Sequence, residues 1–256
     1  MGSATVSLKV GVLGMVLAAG VAGGSACSPE RNMDSGRTAR ETNDSMSTVS
    51  KPGATAASAP KTSRAPVVLF FGTSLTAGYG LSPEQAFPSL IEKLADSANL
   101  PIRAVNAGLS GETTAGAARR IDWVLRTPAD VVVIEAGAND ALRGLSPDAA
   151  RANLQRVIDA VRAKQPKARI ILVQMEAPPN YGAAYAKSFR AVYTDLAKKE
   201  NIPLVPFLLT GVAGIPRLNQ ADGVHPNVAG ERIVAENVWR GIRPVIEQLD
   251  RTAVSG

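Results

Sequence analysis

The chain has 256 residues, with 28 Lys plus Arg against 22 Asp plus Glu, a formal net charge of +6, one His and one Cys. One thiol and one imidazole can supply neither an intrachain disulfide nor a four-ligand zinc site, and no metal or cofactor is required by any residue that can be named. A 45% hydrophobic composition predicts a globular core, while basic residues that cluster only in pairs (Arg119-Arg120, Lys198-Lys199) and 4% aromatics argue for a solvated surface and against a nucleic-acid partner.

Lys9 is the only charge in the first 26 residues, and it precedes the apolar run VGVLGMVLAAGVAGG, which ends in small residues before Cys27. A spanning helix needs about 20 apolar residues, and this run is shorter and broken by glycine. Residues 1–26 therefore read as an export signal, which implies a periplasmic or cell-envelope protein. The bond before Cys27 suits a general signal peptidase, and equally a peptidase that cuts before a lipidated cysteine, so membrane attachment through Cys27 is a second outcome of the same cut. Residues 27–66 are rich in Ser, Thr, Ala and Pro, bury almost nothing, and read as a disordered linker.

From Val67 the pattern changes. VVLFF (67–71), IRAVNA (102–107), DVVVIE (130–135), RIILVQM (169–175) and IPLVPF (202–207) read as five buried strands. Amphipathic helices lie between them. Phe87, Leu90, Ile91 and Leu94 share one face, as do Leu154, Val157, Ile158 and Val161, and Tyr185, Phe189, Val192 and Leu196. Ser82 with Gln85 resembles a capping box, Ser146-Pro147 a cap with a first-turn proline, and Asn227 a cap for the last helix; Pro88 and Pro244 blur the boundaries near them. The alternation predicts an α/β domain over 67–250, three-layered α/β/α around a five-stranded parallel sheet, with a disordered tail at 251–256.

Ligands of such sheets bind beyond the carboxyl ends of the strands. There the chain carries Ser74 after the first strand, Gly108 after the second, Asn139 after the third, and Asp222 and His225 before the last helix. These are the parts of an acyl-transfer site. A serine hydroxyl needs a base to take its proton, His225 is the only imidazole available, and Asp222 can hold its other nitrogen. The oxyanion donors expected are the Ser74 and Gly108 N–H groups and the Asn139 amide.

The blocks GTSLTAGYG, NAGLSGETT, GANDALRGL and DGVHPN, in this order, resemble those of the SGNH (GDSL) hydrolase family. The resemblance is to its bacterial acyl-CoA thioesterase, lysophospholipase and arylesterase branch, which PNYG at 179–182 also resembles. It implies the flavodoxin-like SGNH fold, with Ser74 as nucleophile, His225 as base then acid, Asp222 as its partner, and Ser74, Gly108 and Asn139 as oxyanion donors. It further implies an acyl-enzyme on Ser74, small-molecule or lipid esters and thioesters as substrates, and no cofactor. Ala141 to Ser146 resembles the family's mobile segment, with Leu142 a substrate-binding residue. Two departures are Thr73, where the family usually has Asp, and Ala138, where it usually has a second glycine. An acyltransferase or deacetylase of envelope carbohydrate would use the same triad, and a binding lipoprotein with an inert site is the non-enzymatic alternative.

Overall fold

The structure, a computed structural model, describes residues 64–254. The expected export signal, Cys27 and all but the last three linker positions lie outside the described residues. In chain order the elements are β1 (Val67–Gly72), α1 (Ser74–Ala77), α2 (Phe87–Ser97), β2 (Arg103–Gly108), α3 (Thr114–Val124) and β3 (Val131–Ile134). They continue with α4 (Ala138–Leu142), α5 (Pro147–Lys164), β4 (Arg169–Val173), α6 (Gly182–Glu200), β5 (Leu204–Val205) and α7 (Val228–Val254).

All strand pairs are parallel, in the order β2-β1-β3-β4-β5, which is the flavodoxin-like arrangement. Helix α2 packs with α7, while α5 packs with both α3 and α6, so helices cover the two faces of the sheet as right-handed crossovers require. Strands β1 and β3 are buried at every position, and so is β4 beyond Arg169. Strand β2 was expected to be buried but is partly exposed along its length, because among the described residues it forms an edge of the sheet with a strand on one side alone. Strand β5 has only two residues, flanked by Pro203 and Pro206, neither of which can donate to a ladder.

The expected helical stripes do pack inward. Leu154, Val157, Ile158 and Val161 are fully buried on α5, as are Phe189 and Val192 on α6. Each such side chain contributes about 1.5–3 kcal/mol of burial. Helix α3 escapes the periodicity because its inward face is Ala117, Ile121 and Val124 amid Ala, Gly and Arg. The Ser82–Gln85 capping box is present, but it opens only a 3-10 turn at Pro83–Gln85. Pro88 lies in the first turn of α2, where no intrahelical donor is lost. Helix α7 continues through Pro244 to Val254, so most of the expected tail is helix; no Pro or Gly follows Asp250 before Gly256.

Glu231, in the first turn of α7, ties that helix to α2 by accepting the Phe87 N–H at 2.8 Å. Burial pushes its carboxyl up to about 8, against the pull of that N–H, and the nearby Glu135 charge adds to the rise. The folded value lies above the ordinary 4.5, so the folded state holds this proton more tightly than the unfolded chain does. The resulting stability is fully present below 4.5 and is lost as pH rises through about 8. Thermal unfolding followed by circular dichroism is expected to show Tm falling from about pH 5 to about pH 8 in the wild type, with a flatter profile in Glu231→Gln.

Candidate active site

Strand β1 ends at the point where the chain's crossovers leave to opposite sides, between β2 and β3, and hands Ser74 to the first position of α1. The turn is held by Glu135, which follows β3 and is 1% exposed. Its carboxylate accepts the Thr73 N–H at 2.8 Å, the Thr73 hydroxyl at 3.0 and 3.1 Å, the Thr76 N–H at 3.3 Å and the Thr76 hydroxyl at 2.8 Å. Burial raises the Glu135 pKa, and these donors oppose the rise. Gly72 leaves room for the arrangement, since a Cβ there would collide with the Thr76 hydroxyl and lie 2.6 Å from Glu135 Oε2. Thr73 therefore acts as a donor, whereas a carboxyl at that position would face Glu135 and require a shared proton.

Ser74 Oγ lies 2.9 Å from His225 Nε2, and His225 Nδ1 lies 2.7 Å from Asp222 Oδ2. Asp222 Oδ1 accepts the Val224 and His225 N–H groups at 2.9 and 3.0 Å, a turn completed by Gly223 at φ 69°. The His225 N–H, the His225 side chain and the Val224 N–H together hold the Asp222 carboxyl down at about 2. It therefore stays ionised until the pH falls through about 2. The Tyr79 ring lies 4.6 Å from the imidazole, centroid to centroid, and Gln220 secures both loops by donating to Tyr79 O at 2.6 Å and accepting Gly223 N–H on its own carbonyl at 3.0 Å.

Asn139 sits in the first turn of α4, where Gly137 takes φ 112° directly over the Tyr193 hydroxyl. Because Gly137 absorbs the positive φ, Ala138 enters the helix without strain. The Asn139 amide donates to Glu112 O at 3.0 Å, which orients it at the edge of the cleft containing Ser74 and His225. The Glu112 carboxylate is itself paired with Arg120 at 2.6 Å, and Arg120 donates to Gly72 O at 3.0 Å.

Gly108 does not occupy the expected position. Strand β2 runs through Gly108, whose N–H is already donated to Asn106 Oδ1 at 2.9 Å, and the residue is absent from the cleft wall. Its missing Cβ serves packing instead, because a side chain would collide with the Ala77 backbone of α1. The cleft is lined by Ser110 and Gly111, and Gly111 adopts φ 78°. The second glycine of NAGLSG carries that position, because strand β2 extends one residue further than its apolar run suggests.

The cleft has a volume of about 620 Å³, with Leu75, Leu142, Met175, Phe207 and Leu209 among its walls. The Leu142 segment is pinned from α6 and the turn before it, as Tyr181 Oη donates to Leu142 O at 3.0 Å and Tyr185 Oη to Leu145 O at 2.7 Å. Among the described residues no three His, Cys, Asp or Glu side chains are grouped to hold a metal.

Residues 70–233 match the GDSL-like lipase/acylhydrolase family. The chain belongs to that family. It is 39% identical over 184 residues to esterase TesA of Pseudomonas aeruginosa, covering 71% of this chain and 90% of that one. It is 33% identical over 183 residues to thioesterase 1/protease 1/lysophospholipase L1 of Escherichia coli K12, covering 71% and 86%. Among solved structures, the psychrotrophic esterase EstA from Pseudoalteromonas sp., inhibited by monoethylphosphonate, aligns with a TM-score of 0.67 at 32% identity, over 71% of this chain and 99% of that one. The GDSL-like domain is thus an ester-hydrolysing enzyme of the SGNH type.

Within it, the Thr73 hydroxyl is the only hydrogen-bond donor to Glu135 Oε1 among the described residues. Thr73→Val keeps the shape and deprives a buried carboxylate oxygen of its partner, at a cost of about 1–3 kcal/mol or more. Urea unfolding is expected to show that loss, with kcat falling alongside it as the Ser74 turn loosens.

Proposed function

We infer that the chain is a serine esterase acting on carboxylic esters and thioesters of the arylesterase, lysophospholipase and thioesterase kind. The observation that carries this reading is the continuous Ser74–His225–Asp222 hydrogen-bond chain at the mouth of an apolar cleft. His225 Nε2 takes the Ser74 proton as Oγ bonds to the acyl carbon, and the carbonyl electron pair moves onto oxygen. The resulting oxyanion is met by the Ser74 and Gly111 N–H groups and the Asn139 amide. The intermediate collapses as the alkoxide or thiolate leaves with the proton from His225, and an acyl-enzyme remains. Water, deprotonated by His225, repeats the sequence and frees the acid and Ser74. Asp222 remains anionic throughout and holds the Nδ1–H tautomer that this exchange needs.

The cleft wall is predominantly apolar, which suits an acyl or aryl group and offers little to a carbohydrate acceptor. That favours hydrolysis over transfer to sugar. We further propose that the enzyme works at the cell envelope, a reading supported by the apolar run before Cys27 and by the linker composition of residues 27–66.

Hydrolysis of p-nitrophenyl esters of graded chain length tests the activity. Ser74→Ala is expected to lower kcat by about 10⁴-fold or more, and Asn139→Ala by about 100- to 1000-fold with KM little changed. A folded wild type without turnover at any chain length would overturn the reading. Monoethylphosphonate esters are expected to leave an adduct on Ser74, located by peptide mass spectrometry, and none on the Ser74→Ala chain.

A further inference from the structure

Seven large hydrophobic side chains are exposed among the described residues, and they are unevenly distributed. Tyr79, Leu142 and Val224 line the cleft. Tyr181 and Leu145 belong to the cluster that pins the Leu142 segment, and Leu109 directly precedes Ser110 and Gly111 of the cleft wall. Only Trp123 is not on a segment that forms the cleft or borders it. These six residues come from five separate segments, so they are gathered by the fold rather than by one apolar stretch of chain. Folding leaves them between 41% and 52% exposed, although the same chain fully buries its Phe70, Phe71 and Phe87.

Charge follows the same division. The acidic groups at the cleft are engaged, Asp222 with His225 and Glu176 with Arg190. Arg143, between Leu142 and Leu145, is exposed; its guanidinium donates to Gly111 O at 3.2 Å and has no ion-pair partner among the described residues. An apolar rim with a cation outside any ion pair of the described residues beside it matches the boundary of a lipid layer, where side chains of this kind enter the acyl region while an arginine meets the head groups.

We propose that this rim is a docking face for an anionic lipid surface, which seats the cleft mouth on the aggregate so that an acyl chain passes directly from lipid into the site. The proposal rests on the serine-esterase reading for its catalytic consequence, and on the rim alone for its binding consequence. Leu109 and Leu145 are the residues to change, because neither lines the cleft and neither belongs to the triad or the oxyanion donors.

The full chain and its Leu109→Ser/Leu145→Ser double variant are compared on p-nitrophenyl acetate, which remains monomeric, and on lysophosphatidylglycerol across its critical micelle concentration. The wild-type rate on the lysolipid is expected to rise about fivefold or more as micelles form, and the variant to lose that rise while its p-nitrophenyl acetate turnover stays within about twofold. No rise in the wild type, a rise retained in the variant, or an equal loss on both substrates overturns the docking face. Absence of turnover on p-nitrophenyl acetate by the wild type overturns the esterase reading instead. Co-sedimentation with phosphatidylglycerol/phosphatidylcholine vesicles then decides the rim independently: the variant is expected to pellet less than the wild type, and equal pelleting overturns it. Because the apolar N-terminal segment is common to both chains, pelleting is compared at the lipid concentration that sediments half of the wild type, where a difference in rim affinity is read directly.

Discussion

A buried carboxylate, Glu135, shapes the turn that carries Ser74. It follows the central strand β3, is closed off from water, and is surrounded by the N–H and hydroxyl groups of Thr73 and Thr76. An ionised group so placed is costly unless its oxygens are paired, and pairing them requires the Gly72 to Thr76 segment to fold back over it. The same fold-back starts α1 at Ser74 and lifts the hydroxyl into the cleft. Removing a donor from this cluster therefore changes the geometry of a residue that Glu135 never touches.

A second layer of constraint joins the loops that follow β1, β2 and β3. Arg120 links the Glu112 carboxylate to the Gly72 carbonyl and lies 4.3 Å over the Phe71 ring, while the Glu112 backbone holds the Asn139 amide. Asp140 accepts the Thr114 N–H and hydroxyl at 2.8 and 2.6 Å, tying α4 to the start of α3. Each of these three loops is thus bonded to a neighbouring loop as well as to its own strand. Preorganisation of this kind lets fixed dipoles stabilise developing charge without reorganising during the reaction.

The α/β class and the five strands in outline were legible because they depend on local pattern, and Ser74, Asp222 and His225 because they are the matching chemistry carried at the strand ends. Continuous β-branched runs mark β1 and β3, and three-residue spacing lets Asp222 reach back to His225 around Gly223. What was not legible depends on partners distant in sequence. Nothing near Thr73 announces that its hydroxyl meets a carboxylate 62 positions away. Gly108 follows the apolar run of the second strand and so reads as its end, whereas the register of β2 against β1 pairs it with Gly72 inside the sheet and leaves Gly111 in the loop beyond. Helix α3 leaves little trace in the sequence, because alanine and arginine carry little amphipathic contrast.

The two margins of the sheet are built differently. Strand β5 ends the sheet with two residues between prolines, a form that offers an incoming strand almost nothing to bond. Strand β2 presents six residues with no strand on its outer side among the described residues, interrupted by neither proline nor bulge, but its Ala104 and Gly108 N–H groups are taken by Glu92 Oε1 at 3.3 Å and Asn106 Oδ1 at 2.9 Å. The two margins are therefore guarded by different means, one by proline and the other by side chains. A chain caught before α2 has packed, and so without the Glu92 carboxylate over Ala104, would expose that margin to a neighbouring strand.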